Sequence, residues 1–211
     1  MPILTVSSSP IWAVWEIEES PGELLEMLDK KELYTSFLEQ HYAISRQQEW
    51  LAARVLLKKM LGEEKKIEYL PSGKPYLADN SYHIGISHTK NYLAIILAPK
   101  EEVSIDIEHI SPRVSKIKER FLAPQEMAAI YSSKENIHLL LHWSAKETVF
   151  KILNKKEVSF KEHIFVHPFE PTTDGYGLFK VTEKKTKKKI SFEVNYVVNS
   201  KYLLTFTKLQ E

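Results

Sequence analysis

The chain contains no cysteine, and its 211 residues carry no large excess of charge of either sign. The absence of cysteine excludes disulfide bonds, thiolate zinc sites and cysteine nucleophiles. With 29 basic and 28 acidic residues the formal net charge is +1. Such a balance argues against a protein that binds nucleic acid over its whole surface, although a local basic patch is compatible with it.

Long hydrophobic runs are also missing. No segment approaches the roughly 18 to 20 uninterrupted apolar residues of a membrane span. The first residues, MPILTVSSSPIWAVWEIEE, lack the basic region and the apolar run of a signal peptide. We therefore expect a soluble cytoplasmic protein, with enough chain for one large domain or two domains of about 100 residues.

Residues 103–108, VSIDIE, have the alternation of a β-strand with one polar face. Ser104, Asp106 and Glu108 project from that face, and the residues between them are apolar. Two carboxylates at this spacing repel each other unless positive charge lies close by. A neighbouring lysine with solvent, or a divalent cation, would offset the repulsion, and this segment alone leaves both interpretations open.

The remaining patterns separate helices from strands within each half of the chain, which predicts an α+β fold. Apolar spacing predicts helices over residues 23–38, 45–61, 114–122, 124–131 and 135–153. Alternation predicts strands over residues 11–17, 66–70, 82–87, 92–97, 164–166, 176–182, 190–198 and 202–206. The strands over 82–87, 92–97 and 103–108 have short connections, so we expect a three-stranded meander. The predicted halves, 1–102 and 103–211, look like two versions of one unit.

A second charged cluster, WSAKETVFK over residues 143–151, lies inside the longest predicted helix. Glu147 and Lys151 are four residues apart and share a helix face, which alone indicates an ordinary surface pair worth about 0.3–0.5 kcal/mol. Together with Asp106 and Glu108, however, Glu147 completes a set of three carboxylates, the ligand type that Mg²⁺ prefers. Lys146 or Lys151 would then neutralise a bound phosphate.

Further cationic side chains are spread over the first half: Lys74 in a turn, His88 after a strand, and Arg46 and Arg54 on a helix. As phosphate partners they would suit a polyphosphorylated ligand held between the two halves. For the two arginines a solvated helix face with local salt bridges is the alternative.

At this point the chain resembles the 4′-phosphopantetheinyl transferases of the larger, monomeric Sfp type. The resemblance depends on four motifs in the same order: Gly73-Lys74-Pro75, Ile86-Ser87-His88, the Asp-x-Glu strand at 104–108, and the cluster at 143–151. The arginine helix is similar to the family's R-x-x-E-[FW]-L-A-x-R element. Two positions depart from the pattern, since Ser104 replaces the usual glycine and Thr148 replaces serine or alanine.

The resemblance implies a pseudo-dimer of two α+β halves that moves the phosphopantetheine arm of coenzyme A to a serine of an apo carrier protein and releases adenosine 3′,5′-bisphosphate. It implies Mg²⁺ at Asp106, Glu108 and Glu147. Glu147 would also take the serine proton, and Lys151 would hold the attacked phosphate, with Lys146 nearby. The nucleotide end of coenzyme A would lie in the first half, with these residues as its partners: Lys74, Ser87, His88, Arg46 and Arg54.

The expected partner is an acidic acyl or peptidyl carrier protein of fatty-acid, polyketide or nonribosomal peptide synthesis. A basic stretch after the Asp-x-Glu strand is either its docking surface or a solvated helix face; its members are Arg113, Lys116, Lys118 and Arg120. The lysine-rich run at 183–189 is most simply a solvated hairpin tip rather than a binding patch. Two alternatives stay open: a degenerate, non-catalytic module that binds coenzyme A or the carrier, suggested by Ser104, and a structural protein with scattered salt bridges.

Overall fold

The computed structural model describes residues 4–6, 10–40 and 43–209, with side chains from residue 10 onward. The chain divides into two compact units, Met1–Lys100 and Glu101–Glu211. Each unit contains helices, an antiparallel sheet and its own cluster of buried apolar side chains. This architecture confirms the predicted α+β class.

The first unit has a four-stranded antiparallel sheet in the order β1-β2-β6-β5, and β3 pairs with β4 in a separate hairpin. Its strands are β1 (Leu4–Val6), β2 (Ile11–Glu16), β3 (Ile67–Tyr69), β4 (Pro75–Leu77), β5 (His83–Thr89) and β6 (Tyr92–Ala98). Every residue of β6 is buried, as its near-continuous apolar sequence predicts.

The described residues of this unit form three helices: α1 (Pro21–Glu26), α2 (Glu32–Gln40) and α3 (Ile44–Leu61). The single helix predicted over 23–38 is wrong, because Glu64 accepts the backbone N–H groups of Asp29 and Lys30 and so interrupts the helical hydrogen bonding. Helix α3 ends as predicted at Gly62, whose φ of 76° is left-handed. Its N-cap is Ala43, so no side chain caps its first turn.

The second unit has a five-stranded antiparallel sheet in the order β7-β11-β10-β9-β8. Its strands are β7 (Val103–His109), β8 (Ile164–Val166), β9 (Gly175–Glu183), β10 (Ser191–Val198) and β11 (Tyr202–Lys208). The predicted meander is therefore wrong in its third strand. Strand β7 follows β6 in sequence but pairs with β11 along its whole length, so it starts a new sheet.

Four helices complete the second unit: α4 (Lys118–Phe121), α5 (Pro124–Ala128), α6 (Glu135–Leu153) and α7 (Phe160–His163). A 3₁₀ helix, Pro112–Ile117, precedes α4. Helix α6 has the predicted bounds and packs on β7 and β11, with Leu140 and Val149 fully buried. Within the described part of the chain, no helix is long and apolar enough to cross a membrane.

Candidate active site

The site is built on β7, which carries Asp106 and Glu108 on the face toward α6. Both carboxylates are only 5% exposed, although the apolar residues of the strand lie on its opposite face. In the ladder with β11, Asp106 stands opposite Thr205. The alternation of VSIDIE therefore predicts the strand correctly, but the burial of its polar face comes from the helix that packs over it.

Helix α6 is joined to these strands by polar contacts from one side. Trp143 Nε1 donates to Glu108 Oε1 at 2.7 Å, and Lys151 Nζ donates to Asp106 Oδ1 at 2.6 Å. Between these two contacts, Thr148 Oγ1 lies 2.7 Å from Thr205 Oγ1. Because the contacts are two helical turns apart, they fix the register of the helix on the strand and place Glu147 between them.

The site carries excess negative charge, which shows in the pKa values of its carboxyl groups. Burial and then the Asp106 charge raise the pKa of Glu147 to about 7, against the opposing effect of Lys151. The pKa of Glu108 is also raised, first by burial and then by Asp106, while Arg113 and Trp143 lower it. The charges of Asp106, Glu108 and Lys151 thus all act on Glu147, and the roles predicted for these four residues stay predictions.

Arg113 and Trp143 are contributions that the sequence interpretation missed. Arg113 Nη2 donates to Glu108 Oε2 at 2.7 Å, so this arginine of the predicted docking stretch is a partner of the carboxylates. Trp143 is a partly buried side chain that packs against the core and also donates to Glu108. A ring N–H is too weak a signal in the sequence to find its partner, and the four residues between Glu108 and Arg113 give no spacing rule.

Lys146 is placed elsewhere, although it precedes Glu147 directly. Its ammonium group is fully buried and donates to Glu126 Oε2 at 2.8 Å and to the carbonyl oxygens of Phe160 and Ile164. All three N–H donors of Lys146 are therefore used away from the acidic site on β7. Burial lowers the pKa of Lys146 to about 8, which Glu126 partly opposes. Adjacent helix residues point about 100° apart, which explains the separation of Lys146 from Glu147.

In the first unit, Glu49 brings two of the predicted residues together. Its carboxylate lies 3.2 Å from His88 Nδ1 and 3.7 Å from an Arg46 nitrogen. His88 and Arg46 are exposed, whereas Ser87 is buried in β5 and Lys74 is half-buried beside β4. The predicted nucleotide partners His88 and Arg46 therefore form one small cluster on β5 and α3.

Arg54 lies away from this cluster and is only 6% exposed. Its guanidinium group packs on the ring of Trp50, with the guanidinium carbon 3.2 Å from the ring centroid, and it donates to the Trp50 carbonyl oxygen at 2.8 Å. Burial lowers the pKa of Arg54 to about 10. The alternative of a solvated helix face agrees with the exposed Arg46 and is wrong for Arg54, since Trp50 covers the latter.

Residues 102–207 match the model of the 4′-phosphopantetheinyl transferase superfamily, and the chain belongs to this family. A Synechocystis sp. protein, slr0495, whose name assigns it provisionally to these transferases, is 32% identical over 116 residues, 50% of this chain and 47% of that protein. The 4′-phosphopantetheinyl transferase AcpT of Escherichia coli K12 is 31% identical over 115 residues, 50% of this chain and 57% of AcpT. The AcpT of Salmonella typhimurium is 38% identical over 69 residues, 32% of this chain and 36% of that protein.

The chain spans about half the length of the curated relatives it matches. The family predicted from the four motifs is confirmed, and the larger Sfp-type subclass stays a prediction. The matched residues include β7 and α6, the two elements that carry the acidic site.

Proposed function

We propose that this protein transfers 4′-phosphopantetheine from coenzyme A to a serine hydroxyl of an apo carrier protein. The observation that supports this most is the meeting of Glu147 and Lys151 on α6 with Asp106 and Glu108 on β7, inside the segment that matches the family. In this reaction the serine oxygen forms a bond to the phosphorus that bears the pantetheine arm. The bond from that phosphorus to the oxygen of the adenosine 5′-phosphate breaks, and adenosine 3′,5′-bisphosphate leaves.

Glu147 is the proposed general base. Its half-buried carboxylate lies among the charges of Asp106, Glu108 and Lys151, which places an acceptor for the serine proton beside the proposed phosphate ligand. Lys151 is the proposed phosphate ligand, because its half-exposed ammonium group lies at the edge of the carboxylates.

In the first unit we propose Lys74, Ser87, His88 and Arg46 as partners of the nucleotide end. Arg54 is covered by Trp50, and we propose that it positions α3 for binding of the nucleotide end.

The three carboxylates fit Mg²⁺ by their chemistry, since they supply only oxygen donors and two of them are buried. As they stand, no three metal-binding side chains are grouped closely enough to hold an ion within residues 10–40 and 43–209. Lys151 pairs with Asp106, and Arg113 pairs with Glu108. We propose that Asp106, Glu108 and Glu147 hold Mg²⁺ once these pairs open. Bound there, the ion would supply positive charge to the leaving phosphate.

The test is Mg²⁺-dependent labelling of an apo acyl carrier protein, followed by intact mass. We expect the carrier to gain the mass of one phosphopantetheine with coenzyme A and Mg²⁺, and to gain nothing after chelation by EDTA. The variants Asp106→Ala and Glu147→Ala should label far more slowly than the wild type. Labelling of these variants at the wild-type rate would overturn the assignment of the site.

The same measurement separates transfer from simple binding. A carrier protein that binds without any mass gain would indicate the non-catalytic module suggested by Ser104, which replaces the family glycine and whose buried hydroxyl makes no hydrogen bond within the described residues. The variant Ser104→Gly restores the family residue. If Ser104 is the cause of inactivity, this variant should gain the transfer activity that the wild type lacks.

A further inference from the structure

Seven exposed lysines lie on two segments of the second unit that touch each other, and this set is here called the lysine surface. Its members are Lys155, Lys156, Lys184, Lys185, Lys187, Lys188 and Lys189. The segments touch where Lys185 Nζ donates to the carbonyl oxygen of Glu157 at 2.9 Å. Within the part of the chain that the structure describes, none of the seven forms an ion pair. Seven like charges this close together repel one another until an acidic partner binds.

The turn between β9 and β10 is held in place by a buried carboxylate. Glu183 is fully buried and accepts the N–H groups of Thr186 at 2.8 Å and Ile190 at 3.0 Å, together with the Thr186 hydroxyl. Burial alone would raise the pKa of Glu183, but these hydrogen bonds outweigh it and lower the pKa below its ordinary value. The backbone that carries the lysines is therefore preorganised, which a merely solvated tip does not require.

The lysine surface begins next to the acidic site. Lys155 follows Lys151 by four residues, and Asn154 closes α6 between them with a left-handed φ of 46°. Lys155 thus lies immediately past the C-terminal end of α6, whose last turn carries Lys151. A protein docked on the lysine surface would therefore have its nearest loops within reach of Lys151 and Glu147.

The predicted docking stretch after β7 is a weaker basic surface by comparison. Arg113 pairs with Glu108 at 2.7 Å and Lys118 pairs with Glu135 at 2.9 Å, so two of its four cations are already neutralised. The lysine tip at 184–189, KKTKKK, has neither aromatic residues for stacking on bases nor apolar residues for insertion into a bilayer. These features favour an acidic protein surface over nucleic acid or lipid.

We infer that the lysine surface docks the acidic face of the protein that accepts the phosphopantetheine, an inference that rests on the proposed function. Such contacts act mainly through steering and complementarity, so they affect the affinity for the acceptor rather than the chemical step. The lysines thus determine which acceptor protein binds, and they lie outside the carboxylate site.

The test compares two variants with the same change of charge. In K155E/K187E both changes lie on the lysine surface, and in the control K30E/K100E both lie at exposed lysines of the first unit. With an acidic apo acyl carrier protein as acceptor, we expect K155E/K187E to raise the KM for the carrier about tenfold, with kcat and the KM for coenzyme A unchanged. The control should behave as the wild type.

Direct binding keeps this inference separate from the transfer reaction. The anisotropy of a fluorescently labelled apo carrier protein, without coenzyme A, should give a Kd that is about tenfold weaker for K155E/K187E and less dependent on salt. If the wild type binds in this way but never labels, the proposed function fails and the docking surface stands. An unchanged Kd for K155E/K187E overturns the docking surface. The docking surface is also overturned if K155E/K187E loses binding to duplex DNA or to anionic vesicles while its Kd for the carrier protein is unaltered.

Discussion

Lys151 Nζ lies 2.6 Å from Asp106 Oδ1, and this pair joins the last full turn of α6 to the middle of β7. Asp106 also raises the pKa values of Glu147 and Glu108 by its charge. Asp106 thus has two opposite effects on the protein: it binds a lysine, and it repels two neighbouring carboxylates. A substitution that removes the Asp106 charge should therefore reduce the proposed activity without reducing the free energy of unfolding.

The variant Asp106→Asn removes the charge and keeps a similar side-chain volume. If the proposed function is correct, phosphopantetheine transfer should fall about 100-fold or more, because a proposed ligand of the Mg²⁺ that would stabilise the leaving phosphate is lost. The free energy of unfolding should stay within about 1 kcal/mol of the wild type or rise, since one of three repelling charges has gone. Labelling rates and urea denaturation without Mg²⁺ measure both quantities. Asp174→Asn, at an exposed residue, is the control and should change neither.

The variant Lys146→Met tests whether Lys146 acts in catalysis or in folding. Because Lys146 and Glu126 are both fully buried, the loss of the ammonium group leaves a buried unpaired charge, and we expect a loss of about 3–5 kcal/mol in the free energy of unfolding. Urea denaturation measures the loss, with the exposed Lys180→Met as control. A variant that unfolds like the wild type but transfers slowly would instead support the catalytic role predicted from the sequence.

The variant Gly177→Ala tests a close approach in the second sheet. Gly177 pairs with Tyr196 across β9 and β10, and a Cβ at this glycine would lie 2.1 Å from the Tyr196 ring. The ring is 3% exposed and packs against Phe179, so it cannot move freely. We expect a loss of about 1–3 kcal/mol in the free energy of unfolding. Gly22→Ala, where an added Cβ meets nothing within 4 Å, should cost far less in the same urea titration.

The free energy of unfolding should decrease as the pH is lowered, because α6 carries two buried histidines. Burial lowers the pKa of His138 to about 4 and that of His142 to about 3, below the ordinary value of 6.5. As the pH falls below 6.5, the unfolded chain takes up protons that the folded chain does not, so the folded state loses stability until the folded pKa is reached. Between pH 6.5 and pH 5, each histidine should contribute a loss of about 2 kcal/mol in the free energy of unfolding.

Urea denaturation of the wild type and of His142→Gln at pH 7 and pH 5 measures this effect. The difference between the two pH values should be smaller in the variant by roughly the contribution of one histidine. An identical pH dependence in both proteins would show that the acid sensitivity comes from other groups.

The segments of the candidate site could be predicted from sequence because their information is local. The alternation over 103–108 predicts a strand with two carboxylates on one face, and the four-residue step from Glu147 to Lys151 predicts a shared helix face. The bounds of α6 agree with the prediction because its apolar spacing persists to Leu153. These elements depend on contacts within a few residues.

Long-range pairing could not be predicted in the same way. Nothing in VSIDIE distinguishes a strand that pairs with the preceding one from a strand that pairs with the end of the chain. The burial of Arg54 depends on the tryptophan one helical turn earlier, and that of Lys146 depends on Glu126 in another helix. Charged side chains are usually exposed, so in both cases the sequence favours the wrong environment.

The pairing of β7 with β11 has a consequence for the order in which the protein becomes active. Val103 pairs with Lys208, so the strand that carries Asp106 and Glu108 acquires its neighbour only after nearly the whole second unit has been synthesised. Contacts of such wide sequence separation form late and slowly. A chain that stops before residue 202 would retain every proposed catalytic side chain and still lose the strand that holds two of them in place. We therefore expect nascent or truncated chains to be inactive until this final ladder closes.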